Sequence, residues 1–219
     1  MADSEKSTFV EYRQGILVRQ TSAPPTLLVI MLHGWSGDER AMWVFENVLP
    51  PSSMAVAIRG IFPVKNGGYQ WTNESPSIDL DMTMFDAASI FLKTVTDDLV
   101  AELNEPTRVV LMGFSQGAAL AFASAGDLMP DGIVAIAGFL PDGDIRHLSS
   151  VPVFWGHGVR DDHVPVSRAR EDVAKLRKTG TEVAYCEVDV GHKLGLECAQ
   201  GLEQWLKQTF GKEAQVWCV

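Results

Sequence analysis

The chain has 219 residues, 46% hydrophobic and 21% charged, a globular composition that excludes a disordered or fibrous protein. A domain of this length buries roughly 70% of the surface its unfolded form exposes, so it needs no disulfide or metal staple. Asp and Glu number 28 against 18 Lys and Arg, a formal charge of −10. That field repels phosphate backbones and anionic membranes, which excludes nucleic acid as the main partner and a polybasic membrane dock.

No apolar run approaches the roughly 18 residues of a spanning helix, so no stable membrane insertion is expected. Residues 1–8 are polar and carry Asp3 and Glu5. They lack the positive-then-apolar layout of a signal peptide. Cys186, Cys198 and Cys218 are an odd number at no metal-ligand spacing, and read as reduced thiols of a cytoplasmic protein.

In chain order, a strand at 16–19 is expected at a sheet edge. Residues 27–32 (L-L-V-I-M-L) form a continuous apolar run, as suits a strand buried on both faces of a parallel sheet. Helical spacing follows at 41–49, then a strand at 54–58 and a long loop at 59–81 with Tyr69 and Trp71. Residues 84–103 predict the longest helix, with Phe85, Ala88, Leu92, Val95, Leu99 and Leu103 on one side. Strands at 108–112, 133–137, 151–155 and 183–188 then alternate with helices at 116–125, 167–178 and 196–210. This alternation predicts one α/β domain over 1–219, its catalytic core at about 27–210. Its sheet is mostly parallel and doubly wound, with helices on both faces and no large lid domain. Ligands of such sheets bind at the carboxyl ends of the strands.

Gly113-Phe114-Ser115-Gln116-Gly117 lies at one of these ends, between a strand and a helix. The G-x-S-x-G pattern there makes a sharp turn that holds a nucleophilic serine in a strained conformation. The alternative is a glycine-rich turn with an ordinary capping serine. A serine hydroxyl needs a base, and chain order in this fold is Ser, Asp, His. His192 follows every candidate acid loop and is the expected base. Asp161 and Asp162 both follow the strand at 151–155, with Asp189 as a third candidate acid. Spacing alone does not separate Asp161 from Asp162. The oxyanion needs two N–H donors, expected from the backbones of Gln116 and Trp35, with His33 holding the Trp35 loop.

L-H-G at 32–34, G-F-S-Q-G-A-A-L at 113–120, G-F-L-P at 138–141, H-G-x-x-D-x-x-V-P at 157–165 and G-H at 191–192 together resemble one family. It is the small carboxylesterase, lysophospholipase and acyl-protein thioesterase branch of the α/β-hydrolases. The resemblance implies Ser115 as nucleophile, His192 as base, Asp161 as acid and Trp35 as second oxyanion donor. Members of the family often read H-G-L-G-D, whereas this chain reads H-G-W-S-G-D-E.

The expected activity is therefore hydrolysis of short to medium acyl esters, or of thioesters, through an acyl-enzyme. The substrate is a small-molecule or acyl-chain ester. Trp71, Phe62, Phe139 and Leu194 are candidate substrate-binding residues, beside Trp35. No cofactor is expected and no metal, since the His and Asp positions lack metal-site spacing. The alternatives are a hydrolase-fold binding protein with little turnover, or a lactonase, lysophospholipase or peptidase on the same triad. The tail 211–219 is expected to pack on the domain or to join a homodimer.

Overall fold

The structure, a computed structural model, describes residues 9–21, 23–103, 105 and 107–211. Strands β1 (Phe9–Arg13) and β2 (Ile16–Arg19) form a hairpin through Gly15, whose φ of +81° suits glycine. Then come β3 (Leu27–Leu32), β4 (Ser53–Ile58) and the two-residue strands β5 (Phe62–Pro63) and β6 (Tyr69–Gln70). Helix α1 (Asp86–Glu102) leads to β7 (Arg108–Phe114), α2 (Gln116–Leu128), β8 (Gly132–Ile136) and β9 (Val153–Gly158). The chain closes with α3 (Val166–Lys178), β10 (Val183–Val188) and α4 (Leu196–Phe210).

Eight strands join in the order β1-β2-β4-β3-β7-β8-β9-β10. The pairs β1–β2 and β2–β4 are antiparallel and the others are parallel. The strand at 16–19 is thus second from the edge, because β1 covers it. The continuous apolar run of β3 is buried at all six positions, since helices cover both faces of the sheet. On one face Leu92, Leu99, Leu120, Val173 and Leu176 of α1, α2 and α3 pack on the sheet. On the other, Met42 joins Leu202, Trp205 and Phe210 of α4.

Residues 41–48, expected as an α-helix, instead form a 3-10 helix. Trp43, Val44, Phe45 and Val48 are weak α formers, and tighter i→i+3 bonds such as Leu49 N–H to Glu46 O satisfy the segment. The reading of the cysteines as reduced thiols is corrected. Cys186 of β10 and Cys198 of α4 are disulfide-bonded with Cα atoms 5.6 Å apart. The chain reverses between β10 and α4, which brings residues 12 apart in sequence face to face. Cys218 lies outside the described residues, as does the tail 212–219. Replacing both bonded cysteines by serine is expected to lower stability by about 3 kcal/mol, the loop-closure value for such a ring. Thermal unfolding of the double variant checks this, and an unchanged midpoint contradicts it. Among the described residues no helix is long and apolar enough to cross a membrane.

Candidate active site

Three loops meet at the carboxyl ends of β7, β9 and β10, beside the 33–37 loop that follows β3. The first is the turn after β7. Ser115 sits there with φ 54° and ψ −119°, a region that L residues rarely adopt. Its N–H is held by Ile136 O at 2.9 Å. The turn closes only because its flanks are glycines. A Cβ on Gly113 would lie 2.3 Å from the Ala118 nitrogen, and one on Gly117 would lie 2.1 Å from Leu32 O. Gly34 permits the same approach from β3, since a Cβ there would meet the Phe114 ring at 2.9 Å. The Ser115 side chain makes no capping bond to α2, so its hydroxyl is not committed to the helix.

The second loop, after β9, carries two of the candidate acids, Asp161 and Asp162. Asp161 is buried, and its Oδ1 accepts the N–H groups of His163 and Val164, each at 2.9 Å. Its Oδ2 lies 2.7 Å from His192 Nδ1. Asp162 is instead exposed and pairs with His163 Nδ1 at 2.8 Å, which holds its carboxyl below the usual range. Asp189 turns outward to Arg160 at 2.6 Å. Of the three candidate acids, only Asp161 reaches His192.

The third loop, after β10, carries His192. Its imidazole packs on Phe114, centroids 4.8 Å apart, and on His163, centroids 4.7 Å apart. No hydrogen bond joins Ser115 to His192 among the described residues; such bonds tighten when substrate binds. Asp161, His163 and His192 present ligand-type atoms within 4.8 Å of one another. Asp161 and His192 are already hydrogen-bonded to each other at 2.7 Å, and the His163 and His192 rings are stacked.

Gln116 opens α2, so its N–H has no intrahelical partner. Its side chain points back and accepts Trp71 N–H at 3.0 Å. The Trp71 indole donates to His33 O at 2.7 Å. His33 donates from Nδ1 to Gly34 O at 2.6 Å and accepts Gly60 N–H on Nε2 at 2.8 Å. Trp71 is fully buried. It therefore sits behind the 33–37 loop as a strut, which corrects its reading as a substrate wall. Its length of indole is used to reach a backbone oxygen, a role that periodicity does not reveal.

A cleft of 390 Å³ opens over Ser115 and Gln116, walled by Trp35, Ile78, Phe139 and Val164, with His163 at its side. Phe139, one of the candidate substrate-binding residues, is among its lining residues. Leu194 lines a different cavity, described below. Phe62 lines neither cavity, because it lies in the short β5–β6 hairpin and pairs with Gln70. A further positioning pair was missed. Asp172, fully buried on α3, accepts Leu140 N–H at 2.9 Å, and Arg168 bridges Asp172 and Leu140 O. Together they clamp the loop that carries Phe139. The R-x-x-x-D spacing on α3 is the signal that could have found it.

Burial lowers the pKa of both His33 and His157 below the ordinary 6.5. His157 donates from Nε2 to Val164 O at 2.9 Å, and its Nδ1 faces Trp155 Nε1 at 3.4 Å. Both rings must stay neutral to keep these bonds. The unfolded chain takes up protons as pH falls through about 6.5, while the folded chain resists until its lowered pKa. The stability these rings contribute is therefore complete above about pH 6.5 and is lost progressively as pH falls from there toward the lowered folded-state pKa. Urea midpoints are expected to fall between pH 7.5 and 5.5; a constant midpoint would count against neutral buried rings.

The phospholipase/carboxylesterase family model matches residues 14–209. The chain belongs to this family of carboxylic ester hydrolases. The acyl-protein thioesterase 1 of Kluyveromyces lactis is 26% identical over 225 residues, covering 89% of this chain and 96% of that protein. The acyl-protein thioesterase 1 of Saccharomyces cerevisiae is 30% identical over 179 residues, covering 69% of this chain and 78% of that one. Among solved structures, the esterase PE8 superposes with a TM-score of 0.74 at 23% identity, covering 88% of this chain and 97% of that chain. At that identity the likeness speaks to the α/β-hydrolase fold.

Proposed function

We propose that this chain cleaves short to medium acyl esters, or the matching thioesters, by two-step acyl transfer. The observation that carries the proposal is the bond from His192 Nδ1 to buried Asp161, at 2.7 Å, beside the strained Ser115 turn. Ser115 attacks the carbonyl while His192 Nε2 takes its proton. Asp161 fixes the ring's tautomer and stabilises the imidazolium. The N–H groups of Trp35 and Gln116 receive the oxyanion, each worth on the order of 3 kcal/mol. Water then attacks the acyl-enzyme, with His192 again as base. The acyl chain lies in the cleft between Trp35 and Phe139.

The family relatives named as acyl-protein thioesterases make thioesters a natural second substrate class. A matched series of p-nitrophenyl esters and acyl thioesters, each from two to twelve carbons in the acyl group, tests the reading. Turnover is expected in both series, highest at short to medium length. A protein inert toward every member overturns it. Reducing compartments disfavour the bond between Cys186 and Cys198, which counts against a cytoplasmic location.

A further inference from the structure

A second cavity of 390 Å³ lies beside the loop that carries His192, lined by Lys193 and Leu194 of that loop. Its walls are Met42, Val44, Phe45, Phe114, Leu194 and Ala199. Among the described residues that line it, Lys193 alone is charged. The two cavities belong to different layers. The acyl cleft adjoins Phe139 and Val164, which pack in the core beneath α1, α2 and α3. The second cavity adjoins Met42, Phe45 and Leu194, which pack in the core beneath α4.

Three contacts join this cavity to the chemistry. Gly34 lines it, and a Cβ on Gly34 would lie only 3.2 Å from Ser115 Cβ. Phe114 lines it and packs on the His192 ring. Lys193 and Leu194 follow His192 directly in the chain. His163, the other ring against His192, lines the acyl cleft instead. The His192 imidazole therefore divides the two spaces.

We infer that the second cavity holds the leaving group, an apolar alcohol or thiol, so that the substrate is apolar on both sides of its scissile bond. The inference rests on the hydrolase reading and deepens it. When the Ser115 Oγ–carbon bond forms and the bond to the alcohol oxygen breaks, the electron pair stays on that oxygen. The proton that His192 took from Ser115 passes to the same oxygen. The group that leaves must therefore lie on the side His192 can reach. The oxyanion donors Trp35 and Gln116 both border the other space. A mostly apolar wall of this kind favours an alkyl or aryl alcohol over a polyol.

The test measures kcat/KM for butanoate esters of linear alcohols from methanol to hexanol. In the wild type the value is expected to rise about fourfold per methylene, the worth of about 0.8 kcal/mol of burial. Ala199→Trp fills the cavity and is expected to flatten that slope. Val44→Lys, at a position 76% exposed, is a second variant that folding tolerates, and it should flatten the slope too. Phe139→Ala should change the dependence on acyl length and leave the alcohol slope alone. An alcohol slope that is flat in the wild type, or identical in the wild type, Ala199→Trp and Val44→Lys, overturns the assignment while ester hydrolysis itself stands. A wild type that hydrolyses no ester removes the hydrolase reading, and this assignment falls with it.

Discussion

Replacing Ser115 with alanine is expected to lower kcat/KM by roughly four to six orders of magnitude. The size follows from the proposed role: without Oγ there is no acyl-enzyme, and only binding and the oxyanion donors act on the substrate. The same change should leave folding almost untouched. The side chain makes no capping bond, and the N–H to Ile136 O remains. A second variant separates chemistry from structure. Ser115 has φ 54°, a strain on the order of 1–3 kcal/mol for a residue with a Cβ. Ser115→Gly relieves it, so this variant should be as inactive as the alanine yet more stable than the wild type, by about 1 kcal/mol. An inactive but stabilised enzyme is the signature of strain kept for function. If both variants lose stability together with activity, the turn is structural and the nucleophile lies elsewhere.

Asp161→Asn is expected to lower kcat by about four orders of magnitude, with KM little changed. The reason lies in the hydrogen bonds. Oδ1 already accepts two backbone N–H groups, so only the amide NH2 is left to face His192 Nδ1. An NH2 there drives the proton to Nε2, the atom that must act as base. Asp162→Asn touches an exposed, solvent-screened pair with His163 and should change kcat by no more than a few fold. Equal losses in the two variants would mean that the loop, not the carboxylate of Asp161, is what the reaction needs.

Parallel strands announce themselves because burial on both faces demands unbroken apolar runs, as in β3. The nucleophile turn announces itself because two close backbone approaches demand glycine at Gly113 and Gly117. Other parts were silent. β1, an edge strand pairing only with β2, needs no such run. The 41–48 segment has helical spacing, but its bulky residues favour the tighter 3-10 turn. Trp71 looks like a substrate wall in any listing of aromatics, and only its bond to His33 O shows it to be a strut. The bond between Cys186 and Cys198 depends on where β10 and α4 turn back on each other, which spacing does not encode. Asp161 and Asp162 are equivalent by spacing; the loop backbone, which turns one inward to His192 and the other to solvent, distinguishes them.

The most direct measurement is the intact mass of the protein after rapid mixing with a p-nitrophenyl ester and quenching in acid, followed by peptide mapping. A mass increase of one acyl group, located on Ser115 and absent from Ser115→Ala, is the result expected. Steady turnover with no acyl adduct, or an adduct on any other residue, would contradict the proposed nucleophile and with it the two-step mechanism.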